Sequence, residues 1–390
     1  MAEARRFVST APENSETPLD AIHGWVTPTR LFFVRNHFDV PSVDVDQWRL
    51  TVDGCVKQSL ALTRDEISAL PQRSLLVTME CAGNGRSFLQ PAVPGVQWGA
   101  GAVAHAEWTG VPLRAVLERA AVQPQAVEVV FEGADRGTDP DHPEPMHFAR
   151  SLPLAKAFRP DTLLVTHMNG EPLEPSHGYP LRLLVPGWYG VASVKWLTRI
   201  HVSDRPFEGY FQTNKYTVRR QGSAALEIVP VQGMAVKSQI VRPHSGETLG
   251  VGRQRLFGVA WAGEEAVGSV QVSTDRGASW RDAELLGPHA PYSWTFWEYD
   301  WNVAEPGRYD LLVRATSTGG RAQPLEHDPL NGGYQIHFCR PTEVQVTAAS
   351  IEPQVRVDAA ALLYDMNAFA ERNVEMPLDV LLEFSLGGGI

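Results

Sequence analysis

Leu75-Leu76-Val77-Thr78-Met79-Glu80-Cys81-Ala82-Gly83-Asn84-Gly85-Arg86 runs from an apolar segment into a loop of small residues with a cysteine at its head. The first four residues have the composition of a strand. Gly83 and Gly85 let backbone approach a ligand closely, and Asn84 tolerates unusual dihedral angles. Arg86 places a cation five residues after the thiol. A nearby cation lowers a thiol pKa, and a soft metal takes the thiolate as ligand. The loop therefore suits a metal held by Cys81. A buried structural cysteine accounts for the same residues equally well.

The rest of the chain sets the context. Its 390 residues exceed one typical core and suit about two or three domains. Hydrophobic residues make up 43% and charged residues 20%, an ordinary globular balance with material for a sizeable core. The net charge of -11 argues against a broad nucleic-acid surface, so no nucleic-acid partner is expected. Basic residues that cluster in such a chain point to a local anion site. Cys55, Cys81 and Cys339 make no disulfide framework. No Cys-x-x-Cys pair occurs, which disfavours structural zinc and c-type haem attachment. No apolar run reaches the roughly 18 residues of a membrane span. Arg5-Arg6 is followed by polar, proline-containing sequence, where an export signal needs an apolar stretch. The expected location is cytoplasmic, or periplasmic if a signal has been removed.

Residues 1–30 read as an irregular N-terminal arm. Residues 31–225 mix strands, at 75–78, 127–131, 163–166 and 181–185, with a short helix over 112–121. Leu113, Val116 and Leu117 share one face of that helix. Strand and helix do not alternate regularly, so α+β is favoured over a doubly wound sheet. Residues 226–345 change character. Val270-Gln271-Val272-Ser273-Thr274 alternates, Asp275-Arg276-Gly277 supplies a turn, and Leu311-Leu312-Val313-Arg314-Ala315-Thr316 follows. With Trp261, Trp280, Trp294, Trp297 and Trp301, this segment reads as an immunoglobulin-like β-sandwich. Residues 346–390 carry one helical stripe, Leu362, Leu363, Met366, Phe369 and Ala370, suited to packing on a neighbouring domain or partner chain.

Four other segments can carry chemistry. Arg35-Asn36-His37 closes the apolar run Leu31-Phe32-Phe33-Val34. His177 and Arg182 bracket the start of another strand, and Arg binds phosphate as a bidentate fork. Ser193 and Lys195 follow the flexible Gly190-Val191-Ala192. Tyr216 sits among Lys215, Arg219 and Arg220. Taken singly, a solvated strand end, a surface loop, a plain turn and an exposed linker explain them.

Their joint occurrence, in this order, resembles the sulfite oxidase family of molybdenum cofactor enzymes, in its bacterial type without a haem domain. The resemblance covers roughly residues 30–340. Its stretches are Phe33-Val34-Arg35-Asn36-His37, then Thr78 to Arg86, then Phe131-Glu132-Gly133-Ala134-Asp135, then residues 177–182 and 186–196. Asn331-Gly332-Gly333-Tyr334 resembles the closing strand of that family's second domain.

The resemblance implies a mixed α/β molybdopterin-binding domain of the sulfite oxidase fold, followed by the immunoglobulin-like dimerisation domain of a homodimer. It implies a molybdenum–molybdopterin cofactor with Cys81 as the metal's protein ligand. Phe33, Val34, Arg35, Asn36, His37, Asp135, His177, Arg182, Ser193, Val194 and Lys195 match segments that hold the pterin and its phosphate. Arg35, Arg86, Tyr216 and Trp98 match substrate-pocket residues. The implied reaction is oxygen-atom transfer to sulfite or a related sulfur oxyanion, with electrons leaving to an external acceptor such as a cytochrome c or oxygen. Two positions depart from the family pattern. The loop Trp261-Ala262-Gly263-Glu264-Glu265-Ala266 carries two acids where sulfite-oxidising members have a base, and Pro94 lies near the place of a family lysine. Both changes would weaken the pocket for a dianion. The alternatives are a nitrate-reductase-type molybdenum enzyme, a hydrolase using Cys81 as nucleophile with His37 or His177, and a non-catalytic β-sandwich binding protein.

Overall fold

The computed structural model describes residues 4–349, His23 and Pro288 excepted. The stripe from Leu362 to Ala370 lies outside the described residues.

The expected strand extends over Arg73–Glu80. It pairs antiparallel with Val103–Pro112. That strand pairs with Leu163–Met168, which also holds Arg182–Leu184. Side chains alternate along a strand. Leu75, Val77 and Met79 therefore enter one cluster with Cys81, Trp98 and Trp108. Leu76 joins Trp25, Trp261 and Phe296 on the opposite face. Cover on both faces explains why this strand is apolar without alternation.

A second sheet orders Leu60–Leu62, Leu50–Gly54, Leu197–Ser203, Glu128–Asp139 and His142–Pro153. Helix Leu113–Ala120 buries Leu113, Val116 and Leu117, the face expected from their spacing. Helix Arg64–Ser68 starts on a capping box: the Thr63 side chain accepts from the Glu66 backbone, and Glu66 reciprocates. Such a cap contributes about 1 kcal/mol. The helices are few and short beside the sheets, and the architecture is α+β.

The second domain is a sandwich of two sheets. One orders Lys237–Arg242, Gly252–Trp261, Thr295–Val303 and Glu284–Leu286. The other orders Thr248–Gly250, Thr342–Thr347, Gly307–Ser317, Val267–Ser273 and Arg281–Asp282. Period-two burial is clear in Thr342–Thr347, where Thr342, Val344 and Val346 are buried and Glu343 and Gln345 exposed. Leu311, Val313 and Ala315 face the same core from the neighbouring strand.

Two expectations are corrected. The first residues are not irregular: Arg6–Thr10 and Glu13–Glu16 form a hairpin that pairs with Val34–Arg35. Asn14, Ser15 and Glu16 are buried there. Their burial is made tolerable by bonds such as Asn36 N to Asn14 Oδ1 at 3.0 Å. A polar strand of this kind carries no hydrophobic alternation to read. Residues 331–334 are not the closing strand. They follow the short turn Pro329–Asn331, capped by Asp328 on Leu330 N, and run against the first domain. Thr342–Thr347 closes the sheet instead.

His105, on Val103–Pro112, is fully buried between Thr78 Oγ1 at 2.9 Å and Ser293 Oγ at 3.3 Å. Burial pushes its pKa down to about 3. The unfolded value is about 6.5. A depressed histidine stabilises the fold fully above the unfolded pKa, and that stability is lost as pH falls towards the folded one. Between pH 7 and pH 4 this amounts to about 3 kcal/mol at 1.36 kcal/mol per unit. Denaturant midpoints measured at both pH values are expected to fall further in the native chain than in His105→Gln. Equal falls would show that His105 does not titrate in this way.

Candidate functional site

Loops at the ends of these strands line a partly open cavity of about 650 Å³, some of it open to solvent. Phe32 to His37 surround Val34–Arg35 and form one wall. Met79 ends the buried face of Arg73–Glu80, and Cys81 follows it. Asp135 comes from Glu128–Asp139 and Phe148 from His142–Pro153. Ser176 and His177 come from the turn Pro175–His177, and Arg182 opens Arg182–Leu184. Ser193, Lys195 and Trp196 follow Gly190–Ala192, and Tyr216 precedes Thr217–Gln221. Gly178 turns the chain between His177 and Arg182 at φ 106°, where a Cβ would lie 3.0 Å from that of Lys195.

The cavity is cationic in an acidic chain. Arg35, Arg182 and Lys195 line it against the carboxylate of Asp135. Lys195 donates to Asn36 Oδ1 and to Ser176 O, the latter at 2.9 Å, with its ammonium 4.2 Å above Trp196. Arg182 donates to His177 O at 3.0 Å and Ser193 O at 3.2 Å. Burial lowers Arg182 to about 9. Burial likewise raises Asp135 and lowers Lys195, while their mutual attraction opposes both changes. Three buried polar atoms on this wall, Asn36 Nδ2, Asp135 Oδ1 and Arg182 Nε, have no hydrogen-bond partner among the described residues. Each such atom costs about 1–3 kcal/mol. Donors, an acceptor and surplus positive charge around one space fit a polar, anionic ligand.

Flat walls complete the cavity. His37 stacks on Phe148 at 4.5 Å, and Phe32 on Phe33 at 5.2 Å. His37 Nε2 pairs with Tyr216 Oη at 2.7 Å. Burial lowers His37 well below its ordinary value and pushes Tyr216 up to about 12, so a neutral imidazole faces a protonated phenol.

Cys81 is buried, and burial raises its thiol pKa. Arg35 opposes most strongly, and Arg86 also opposes. A nucleophilic cysteine needs a hydrogen-bonded base. Among the described residues neither histidine provides one. No hydrogen bond joins Cys81 Sγ to His37, whose Nε2 pairs with Tyr216 Oη, or to His177, whose Nε2 donates to Thr29 O at 3.4 Å. The hydrolase alternative thus loses its geometric basis. No group of three or more His, Cys, Asp or Glu is placed to hold a metal among the described residues. A metal at Cys81 would therefore draw its other donors from outside these side chains, as a bound cofactor can supply them. A thiolate, an anion-binding wall and stacking surfaces fit molybdopterin with its phosphate and soft sulfur-bound metal.

Most residues singled out from the sequence meet here: Phe33, Val34, Arg35, Asn36, His37, Cys81, Asp135, His177, Arg182, Ser193, Lys195 and Tyr216 all line the cavity. Three do not. Val194 is buried in the core beneath. Trp98 is fully buried in the cluster that contains Cys81. Arg86 spends its guanidinium on backbone, donating to Gly333 O at 3.0 and 2.8 Å and Val96 O at 2.8 Å. Sequence reading did not name Phe32, Met79, Phe148, Ser176, Gly190, Val191 or Trp196 as site residues. Ser176 and Trp196 adjoin chosen residues and were within reach of it. Phe148 sits in mid-strand, where nothing local marks it. The two acids that depart from the family pattern lie off the wall: Glu264 is bonded by Lys156, and Glu265 pairs with Arg321 at 3.2 Å. Paired acids outside the cavity do not cancel its positive charge.

Comparison with known proteins agrees with this geometry. Residues 37–211 match the oxidoreductase molybdopterin binding domain, and residues 229–330 match the Mo-co oxidoreductase dimerisation domain. Mitochondrial sulfite oxidase of Drosophila melanogaster is 37% identical over 82% of this chain and 59% of its own length. Sulfite oxidase of Gallus gallus is 34% identical over 83% of this chain and 74% of its own. The NADH nitrate reductase of Solanum lycopersicum is 32% identical over 82% of this chain and 38% of its own. The chain thus spans only about three-fifths of the mitochondrial relative's length. Among solved structures, the sulfane dehydrogenase SoxCD from Paracoccus pantotrophus superimposes with a TM-score of 0.74 and 29% identity, covering 87% of both chains.

Proposed function

This chain belongs to the sulfite oxidase family of molybdopterin oxidoreductases, and from that premise we propose that it oxidises sulfite or a related sulfur oxyanion. Water supplies the oxygen atom, and two electrons and two protons leave for each anion oxidised. The electrons pass to an external acceptor such as a cytochrome c or oxygen. The observation that carries the reading is one cavity uniting Cys81 with Arg35, Arg182 and Lys195.

The bound molybdenum cofactor supplies the oxygen-atom and electron chemistry. Cys81 gives the metal its protein thiolate. Arg182 and Lys195 make charge-assisted bonds to the phosphate. Asn36 Nδ2 and Asp135 Oδ1, which otherwise lack partners, would bond polar groups of the cofactor. Arg35 attracts the substrate anion, and the protonated Tyr216 donates a hydrogen bond that orients it. Neutral His37 fixes the direction of that phenol. Arg86 acts indirectly, by holding the Gly333 segment whose Tyr334 ring lies 5.0 Å from Tyr216. Residues 31–225 form the catalytic domain and 226–345 the dimerisation domain of a homodimer. No helix among the described residues is long and apolar enough to cross a membrane.

Chain purified from a host that makes the cofactor is expected to contain about one molybdenum per chain. It should reduce ferricyanide or cytochrome c when sulfite or a sulfane-sulfur substrate is added. A metal-loaded chain that oxidises neither, yet reduces nitrate with a viologen donor, would replace this reading with that of the nitrate reductase relative.

A further inference from the structure

Met79 and Cys81 line the cavity, while Glu80 between them points the opposite way, into the sandwich domain. Alternation along a strand covered on both faces requires this. The Glu80 carboxylate is 2% exposed and fully engaged. Lys237 Nζ donates to Oε1 at 2.9 Å and Asn84 Nδ2 to the same oxygen at 3.0 Å. Trp261 Nε1 donates to Oε2 at 2.9 Å. Lys237 also donates to Asn84 O at 3.3 Å.

Further bonds hold the same loop. Gln335 N donates to Ala82 O at 2.9 Å, and Arg86 grips Gly333 O. Gly85, at φ 97°, passes so close to Ile336 that a Cβ would lie 3.2 Å from its Cγ2. The loop carrying Cys81 is thus held at 80, 82, 84 and 86 by residues that lie beyond residue 230 in the chain. The ion pair does not stand there for stability alone, because a buried pair seldom exceeds an apolar replacement in net stabilisation. What it adds is direction: a carboxylate with three donors has one orientation, and it fixes the backbone next to the thiol.

We propose that Lys237, assisted by Trp261, is a positioning residue for Cys81. From the sandwich domain it fixes Glu80 and Asn84, and through them the angle at which the thiolate meets the metal. The second domain is therefore part of the metal site. This rests on reading Cys81 as the metal ligand.

The test uses the full chain, with and without cofactor. In Lys237→Met, amides of residues 81–86 are expected to exchange at least about tenfold faster, with those of Gly307–Ser317 unchanged. The cofactor-loaded variant should show a shifted thiolate-to-metal absorption band and altered molybdenum EPR parameters, and Lys237→Arg should recover part of both. Should Lys237→Met not fold, Trp261→Phe removes one donor at similar volume and is expected to give the same changes at smaller size. Unchanged loop exchange, or faster exchange with an unchanged metal spectrum, overturns the proposal. A metal spectrum retained in full by Cys81→Ser would instead overturn the ligand reading, leaving the exchange result intact.

Discussion

Cys81→Ser is expected to fold like the native chain and to lose turnover by more than about 10³-fold. Residues that merely orient a metal ligand typically contribute 10–100-fold, so loss of the ligand itself must exceed that range. The fold should survive because the exchange is nearly isosteric and the surrounding cluster of Trp98, Trp108 and Met79 is untouched. Thermal unfolding of cofactor-free protein checks that half of the expectation, and steady-state rates per chain check the other. Turnover within tenfold of native would mean that the thiolate does not serve the reaction.

Arg35→Ala is the second large effect. Arg35 lines the cavity, and it is the strongest charge opposing the buried thiol's upward shift. Its removal should lower kcat/KM for the anion by about 10²–10³, or roughly 3–4 kcal/mol, the scale of one preorganised donor in a water-poor site. Molybdenum content should stay within about twofold, because Arg182 and Lys195 still line the cavity and would meet the phosphate. Arg35→Lys should recover only part of the loss, since an ammonium lacks the planar fork. Metal content that collapses while turnover per metal stays native would move Arg35 from the anion to the cofactor.

These two residues were legible in the sequence for different reasons. Cys81 stood out because a cysteine at the head of a loop with two glycines and an arginine has a short list of uses. Arg35 meant little until Lys195 and Arg182, more than 140 positions away, were set beside it by the resemblance. The sandwich was legible from period-two patterning in strands such as Val267–Ser273. The N-terminal hairpin was not, since Asn14, Ser15 and Glu16 are buried by hydrogen bonding and not by hydrophobicity. Arg86 was misleading in a specific way. A buried arginine beside a metal loop reads as an anion holder, but its guanidinium is used up by the carbonyls of Gly333 and Val96. That contact joins residues 247 positions apart, and no local pattern announces it. The same is true of Glu80 and Lys237, whose pairing depends on which face of a doubly covered strand meets the second domain.

Molybdenum X-ray absorption on native and Cys81→Ser protein tests the central claim most directly. If Cys81 is the protein ligand, the variant's metal shows one sulfur neighbour fewer than the native metal, with the cofactor's own sulfurs retained. An identical sulfur shell in both proteins would contradict the claim.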